Sequence, residues 1–256
     1  MDYPVIISYC NDGYYSFAKN MLYSLNNTVK NHKVHFYCLD DEIYHKLTQL
    51  ELNISVIFER VENVNISKHF ENYGTHQYNA ITHTKMNILR DALSKYPFIH
   101  FIDCDVVCMK EPTLDHYHAY RAYDIVFQYD CGMKSLDNLY GFHPLNNPWC
   151  CTGNTSLRNT PATHALLDKI TEYQLRYSDK NDQECLYQYF LDNSVSDISL
   201  YEHAALYTYE LCEYTNGYWV NHDIGPLDHT YFLHANHVHG SDRKMEILKK
   251  AGQYFL

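Results

Sequence analysis

Residues Phe98-Ile99-His100-Phe101-Ile102 form the most strand-like run in the chain, and they deliver Asp103 and Asp105 directly into a turn. Burying carboxylates costs several kcal/mol each unless something pairs with them. In an extended segment residues two apart point to the same side, so both carboxylates can face one ion. Hard divalent cations such as Mn²⁺ or Mg²⁺ take oxygen ligands and are the natural partner. A structural turn capped by its own acids is the alternative, because a lone Asp-x-Asp is common.

Around this strand, apolar β-rich runs alternate with helical periods, which predicts an α/β sheet with crossover helices. Val5 to Cys10 reads as a first strand, turned by Asn11-Asp12-Gly13. Phe17, Met21, Leu22, Leu25 and Val29 follow at helical spacing. Val34 to Leu39 and Ile54 to Val61 are further strands, with a short helix through Leu47 and Leu50 between them. Residues 62–79 read as loop, and a helix around Ile81, Ile88, Leu89 and Ala92 precedes the Asp-x-Asp strand. Asp124 to Tyr129 is another strand, and residues 130–152 read as irregular. Thr160 and Asn181 are helix N-caps, the first followed by Pro161. Tyr231 to His234 is a last short strand, and Lys244 to Ala251 a helix stopped by Gly252. In open α/β sheets ligands sit beyond the carboxyl ends of the strands. That rule brings Asn11-Asp12, Asp103-Cys104-Asp105 and the segment from His234 onward to one cleft.

Composition narrows the function classes. At 256 residues the chain suits one large domain. Its net charge of −11, with no basic run, argues against nucleic acid and anionic membrane surfaces as partners. No stretch reaches the ~18 apolar residues of a membrane span, and the amino-terminal residues lack a signal-peptide pattern. The nine cysteines are scattered without a Cys-x-x-Cys, which reads as reduced core thiols in a cytoplasmic protein. The 26 tyrosines suit half-buried surfaces that stack on sugar rings, although an AT-rich coding sequence produces the same excess.

Other segments can supply chemistry. His234 ends a strand facing the cleft, and an imidazole suits Mn²⁺ beside two carboxylates. With 17 histidines in the chain, His237 and His239 read equally as surface residues, and a zinc site built from all three is the rival arrangement. Arg243 and Lys244 can neutralise phosphate oxygens at the start of the last helix. Asp182 and Gln183 can address sugar hydroxyls, or simply belong to the N-terminal cap around Asn181. Gly153, within Thr152-Gly153-Asn154-Thr155, permits close backbone approach by a ligand. As an isolated feature that stretch is only a loop.

Taken in order, these pieces resemble the nucleotide-diphospho-sugar transferases of the GT-A fold. The closest similarity is to retaining enzymes akin to plant rhamnogalacturonan xylosyltransferases, and more distantly to glycogenin and lipopolysaccharide galactosyltransferases. The matching residues are Lys85, the Phe101 to Val107 segment, Thr152-Gly153-Asn154, Asn181-Asp182-Gln183, Asn216-Gly217, and His234-x-Asn236-x-x-x-Gly240-x-x-x-Lys244. The resemblance implies a Rossmann-like α/β domain spanning 1–256, with a mixed, mostly parallel central sheet. Residues 1–110 would form its nucleotide-binding half and 111–256 its acceptor-binding half. It implies Mn²⁺ (or Mg²⁺) on Asp103, Asp105 and His234. Asn11 and Asp12 would lie near the nucleoside and Lys85 and Lys244 near the phosphates. Gly153, Asn154, Asn236 and Gly240 would lie along the donor, and Asp182 and Gln183 would face the transferred sugar. The implied reaction moves a sugar from a nucleotide-diphosphate donor, UDP-linked by family default, to a carbohydrate or glycoconjugate hydroxyl with retention. A metal-dependent phosphohydrolase or nucleotidyltransferase, and a non-catalytic sugar-nucleotide-binding relative, are the rival readings.

Overall fold

A computed structural model describes residues 2–130 and 146–256. Its centre is a seven-stranded sheet ordered β3-β2-β1-β4-β7-β6-β8. The strands are β1 (Val5–Cys10), β2 (Val34–Cys38), β3 (Val56–Arg60), β4 (Phe98–Ile102), β6 (Ile125–Gln128), β7 (Cys151–Arg158) and β8 (Leu206–Tyr209). Only β7 runs against its neighbours. A smaller sheet is ordered β5-β10-β9, from Val106–Cys108, Phe232–His234 and Tyr214–Asn216. The mixed, mostly parallel α/β sheet expected from the sequence is therefore present.

Strand alternation splits the core between the two sheet faces. Ile6, Phe36 and Ile102 pack on one face, under α1 (Tyr15–Thr28), α2 (Asp41–Thr48) and α9 (Ser241–Lys250). Ile7, Tyr37 and Phe101 pack on the other, under α4 (Lys85–Lys95), α6 (Pro161–Arg176) and α7 (Asp182–Asp192). Every residue of β4 is buried; each large apolar side chain so placed contributes about 1.5–3 kcal/mol.

Several elements depart from the sequence reading. The loop expected over 62–79 ends early, because Thr75 caps a helix α3 (His76–His83), its Oγ1 accepting from Tyr78 N. Thr84 then separates α3 from α4. The short α5 (Leu114–Ala119) and α8 (Gly217–Asn221), and the strands β5, β8 and β9, carry too few residues to show a period. The largest correction is β7, whose Thr152-Gly153-Asn154-Thr155 stretch reads as loop yet belongs to an interior strand of the sheet. Its polar side chains are buried among other polar groups: His100 Nε2 donates to Asn154 Oδ1 (2.8 Å), and Tyr209 OH donates to Ser156 Oγ (2.6 Å). Of the stretch expected to be irregular, 131–145 lies outside the described residues.

Two crossings position the site. Because β7 is antiparallel, its amino end meets the carboxyl ends of β4 and β6 at one sheet edge, where Asp103 N donates to Gly153 O (2.7 Å). After the Asp103–Asp105 turn the chain leaves the large sheet as β5 and pairs with β10, His234 opposite Val106. Ala235 N donates to Asp105 O (3.0 Å), which fixes the histidine strand beside the acidic turn.

Candidate active site

The sheet edge opens into a cavity of about 960 Å³. Asp103, Asp105 and His234 face one another across its floor, with one ligand-type atom from each lying within 4.8 Å of the others. His234 Nε2 is 3.2 Å from Asp105 Oδ1 and 4.0 Å from Asp103 Oδ2. Two carboxylates and an imidazole form a donor set suited to Mn²⁺, and Gly153 supports the fit. A Cβ at that position would collide with both Asp103 Oδ2 and His234 Cε1, so β7 can pass the triad only without a side chain there. Among the described residues this is the one cluster of its kind, and the three-histidine arrangement does not form. His237 Nε2 instead meets Asp130 Oδ1 (2.5 Å), and the His239 ring lies 5.7 Å from that of Tyr73.

Two lysines balance the acids. Lys85, the first residue of α4, is buried with its Nζ 2.8 Å from Asp182 Oδ2 and 3.3 Å from Asp103 Oδ1. Burial opposes its charge, but the two carboxylates outweigh burial and hold its pKa above the ordinary lysine range. Lys244, from the first turn of α9, contacts Asp105 Oδ2. Burial works against the Asp105 charge, yet Lys244 and His234 prevail and keep its pKa well below the usual carboxylate range. Three carboxylates against two ammonium groups leave this floor anionic, which suits a cation.

A family model described as nucleotide-diphospho-sugar transferase matches residues 30–248. The chain belongs to that family. Among solved structures, the galactosyltransferase LgtC, in complex with donor and acceptor sugar analogs, superposes on this transferase with a TM-score of 0.61 at 12% identity; the match covers 100% of this chain and 97% of that one. Mouse xyloside xylosyltransferase 1 gives 0.56 at 14% identity, covering 93% of this chain and 98% of that one. The glycosyltransferase GlyE of Streptococcus pneumoniae TIGR4 gives 0.56 at 11% identity and covers 98% of this chain, which spans only 60% of GlyE. At these identities the likeness is one of fold, and the fold is the expected GT-A type. Sequence comparison with curated proteins gives no match.

Most of the residues singled out from the sequence line the transferase cavity: Lys85, Asp103, Asp105, Gly153, Asp182, Gln183, His234, Asn236, Gly240 and Lys244. Asn11, Asp12, Asn154 and Arg243 stand outside its wall. Asn11 Nδ2 donates to Ser67 O (2.6 Å) and His69 O (3.0 Å), and Asp12 pairs with Lys46 (2.5 Å), so both secure neighbouring segments. The Asn154 side chain alternates away from Gly153 toward His100. Arg243 pairs with Glu246 (3.5 Å) at the surface. Asn236 Oδ1 accepts from Gly217 N (3.1 Å), tying the cavity wall to α8.

At the start of α7 the capping role and the site role coincide. Asn181 and Glu184 form a reciprocal capping box. Asp182 sits in the first turn, where the helix dipole favours its charge, and its Oδ2 also accepts from Thr152 Oγ1 (2.7 Å). Gln183 Nε2 donates to Asp130 Oδ2 (2.8 Å). Sequence reading passed over Asp130 and Gln128, although both lie at the carboxyl end of β6, where the sheet-edge rule already placed Asp103. Among the described residues no helix is long and apolar enough to cross a membrane.

Proposed function

We propose that this chain moves a sugar from a UDP-linked donor to a carbohydrate or glycoconjugate hydroxyl, with retention at the anomeric carbon and with Mn²⁺ (or Mg²⁺) required. The convergence of Asp103 and Asp105 from the turn after β4 with His234 from the end of β10 carries this reading. A divalent ion held by these three would supply Lewis-acid neutralisation of the departing diphosphate. Lys85 and Lys244 bring fixed positive charge to the same floor, already oriented by their carboxylate partners. Gln183, steadied by Asp130, offers its amide oxygen toward the transferred sugar, and Asp182 holds Lys85 in place beside it. In this reading the cationic anomeric centre is stabilised by these oxygens while the acceptor attacks. Asn236 and Gly240 line the donor side of the cavity. The reading places residues 1–110 around the donor and 111–256 around the acceptor. It also places the protein in the cytoplasm, consistent with the eight free thiols among the described residues.

The test is a thermal-shift titration of UDP with and without Mn²⁺, followed by donor turnover in wild type and Asp105→Ala. Mn²⁺-dependent stabilisation that disappears in the variant is expected. Equal turnover by the variant in the presence of a chelator overturns the metal role.

A further inference from the structure

The cavity continues past the reacting centre along one face of α7. Gln183, Glu184, Tyr187, Gln188 and Leu191 all line it, at the three-to-four-residue spacing of a single helical face. At about 1.5 Å per residue, Tyr187 and Leu191 lie roughly 6 and 12 Å beyond Gln183. Trp149 comes over from the chain entering β7 and meets Tyr187 edge to face, with ring centroids 4.7 Å apart and planes at 84°. Both rings are half-buried. The Trp149 backbone is pinned by its N donating to Asn147 Oδ1 (2.8 Å). Its indole Nε1 meets no acceptor among the described residues. Ser196 and Asp197 complete this end of the cavity, with Asp197 held by Ser199 N (2.8 Å) and Oγ (2.6 Å) donating to it.

We propose that the Trp149–Tyr187 corner is an acceptor subsite for an uncharged sugar ring, so that the acceptor is a neutral glycan. This inference rests on the transferase reading above. A pyranose has a C–H face and a rim of hydroxyls. Perpendicular aromatic plates match the first, and the indole N–H with Gln188, Ser196 and Asp197 matches the second. Glu184 and Asp197 oppose an anionic acceptor. A corner one helical turn from Gln183 places an incoming hydroxyl next to the transferred sugar. The volume, at the top of the range for a single-ligand pocket, accommodates donor and acceptor together.

The chain has two tryptophans, and Trp219, whose Nε1 donates to Gly225 O, lies outside the cavity. Trp219→Phe therefore leaves Trp149 as the sole indole reporter. With UDP and Mn²⁺ present, lactose, maltose, cellobiose and xylobiose are titrated against its emission, and the donor is followed separately by thermal shift. A saturable emission change with at least one disaccharide is expected. Trp149→Ala should raise that sugar's half-saturation in transfer roughly tenfold, equivalent to ~1.4 kcal/mol, with Trp149→Phe recovering most of it and the UDP–Mn²⁺ shift unchanged. Silence from all four sugars while UDP and Mn²⁺ still stabilise the protein sinks the subsite and leaves the transferase reading standing. An unchanged acceptor half-saturation in Trp149→Ala also sinks it, as does a response to a serine-containing peptide in place of the sugars. Loss of the UDP–Mn²⁺ shift in the wild type counts instead against the transferase reading.

Discussion

His234 Nδ1–H donates to Gln128 Oε1 across 3.0 Å, and this bond turns the Nε2 edge of the imidazole to the aspartates. Gln128 is fully buried, and its Nε2 donates to Tyr214 O (3.0 Å) and Thr215 O (3.1 Å). The amide therefore cannot flip, its oxygen must face His234, and the histidine Nε2 is left toward Asp103 and Asp105. Partners of this kind orient a ligating histidine, and their loss costs about 10–100-fold in metal affinity. Gln128→Met, which keeps the volume but removes the acceptor, should weaken Mn²⁺ binding by that factor. It should also convert the His234 ¹⁵N signals from a single Nδ1–H tautomer to a mixture. A variant with native Mn²⁺ affinity and an unmixed tautomer would remove Gln128 from this role.

Gly153 is required by the triad itself. Gly153→Ala places a methyl against Asp103 Oδ2 and His234 Cε1, so one ligand has to move. The cost in stability should be about 1–3 kcal/mol, typical of overpacking, while Mn²⁺-dependent stabilisation by UDP is abolished. Urea unfolding measures the first and thermal shift the second. Retention of the Mn²⁺ response in a folded variant contradicts the assigned geometry.

The parts of this fold and site that were legible in the sequence are those with strong local signals. β4 showed itself by five consecutive buried residues, and α6 by Thr160 and Pro161 at its start. Asp103 and Asp105 were found because they follow β4 as a pair, and His234 because it ends a strand. β7 stayed hidden because its partners are other buried polar groups, supplied from β4, α7 and β8, and no alternation survives in Cys-Thr-Gly-Asn-Thr-Ser. Gln128 and Asp130 were missed for a related reason: their chemistry is defined by His234, Gln183 and His237, all more than fifty positions away in the chain. Conversely Asn11 and Asp12, which the sheet-edge rule drew into the cleft, are claimed by the 67–69 segment and Lys46.

Lys85 joins the two halves of the site. Its Nζ reaches Asp103 from β4 and Asp182 from α7 and lies 5.0 Å from the Phe101 ring centroid. Lys85→Met leaves Asp182 buried without its cation, and breaking a buried pair in this way costs about 3–5 kcal/mol. Lys85→Met combined with Asp182→Asn should recover a large part of that loss, since the orphaned charge is then gone. A double-mutant cycle by urea unfolding checks this; additive effects of the two substitutions would show that the pair is not coupled.

Acid sensitivity should begin with histidines that do not line the cavity. His100 is enclosed between Tyr117 OH (2.8 Å) and Asn154 Oδ1 (2.8 Å), and burial pushes its pKa down to about 3. Burial likewise lowers His116 to about 4. Both stay neutral in the folded protein where the unfolded chain already binds protons, below about pH 6.5. The unfolded state then holds more protons, so stability falls as pH falls from about 6.5 toward 4, by up to about 1.4 kcal/mol per pH unit for each histidine. Above pH 6.5 neither contributes a slope. His100→Gln should reduce the slope between about pH 4.5 and 6.5 by close to one proton, because the carboxylates that also titrate at the acid end are common to both proteins. Urea unfolding of both proteins across that window measures it, and an unaltered slope in a folded variant would mean that His100 is not the group resisting protonation.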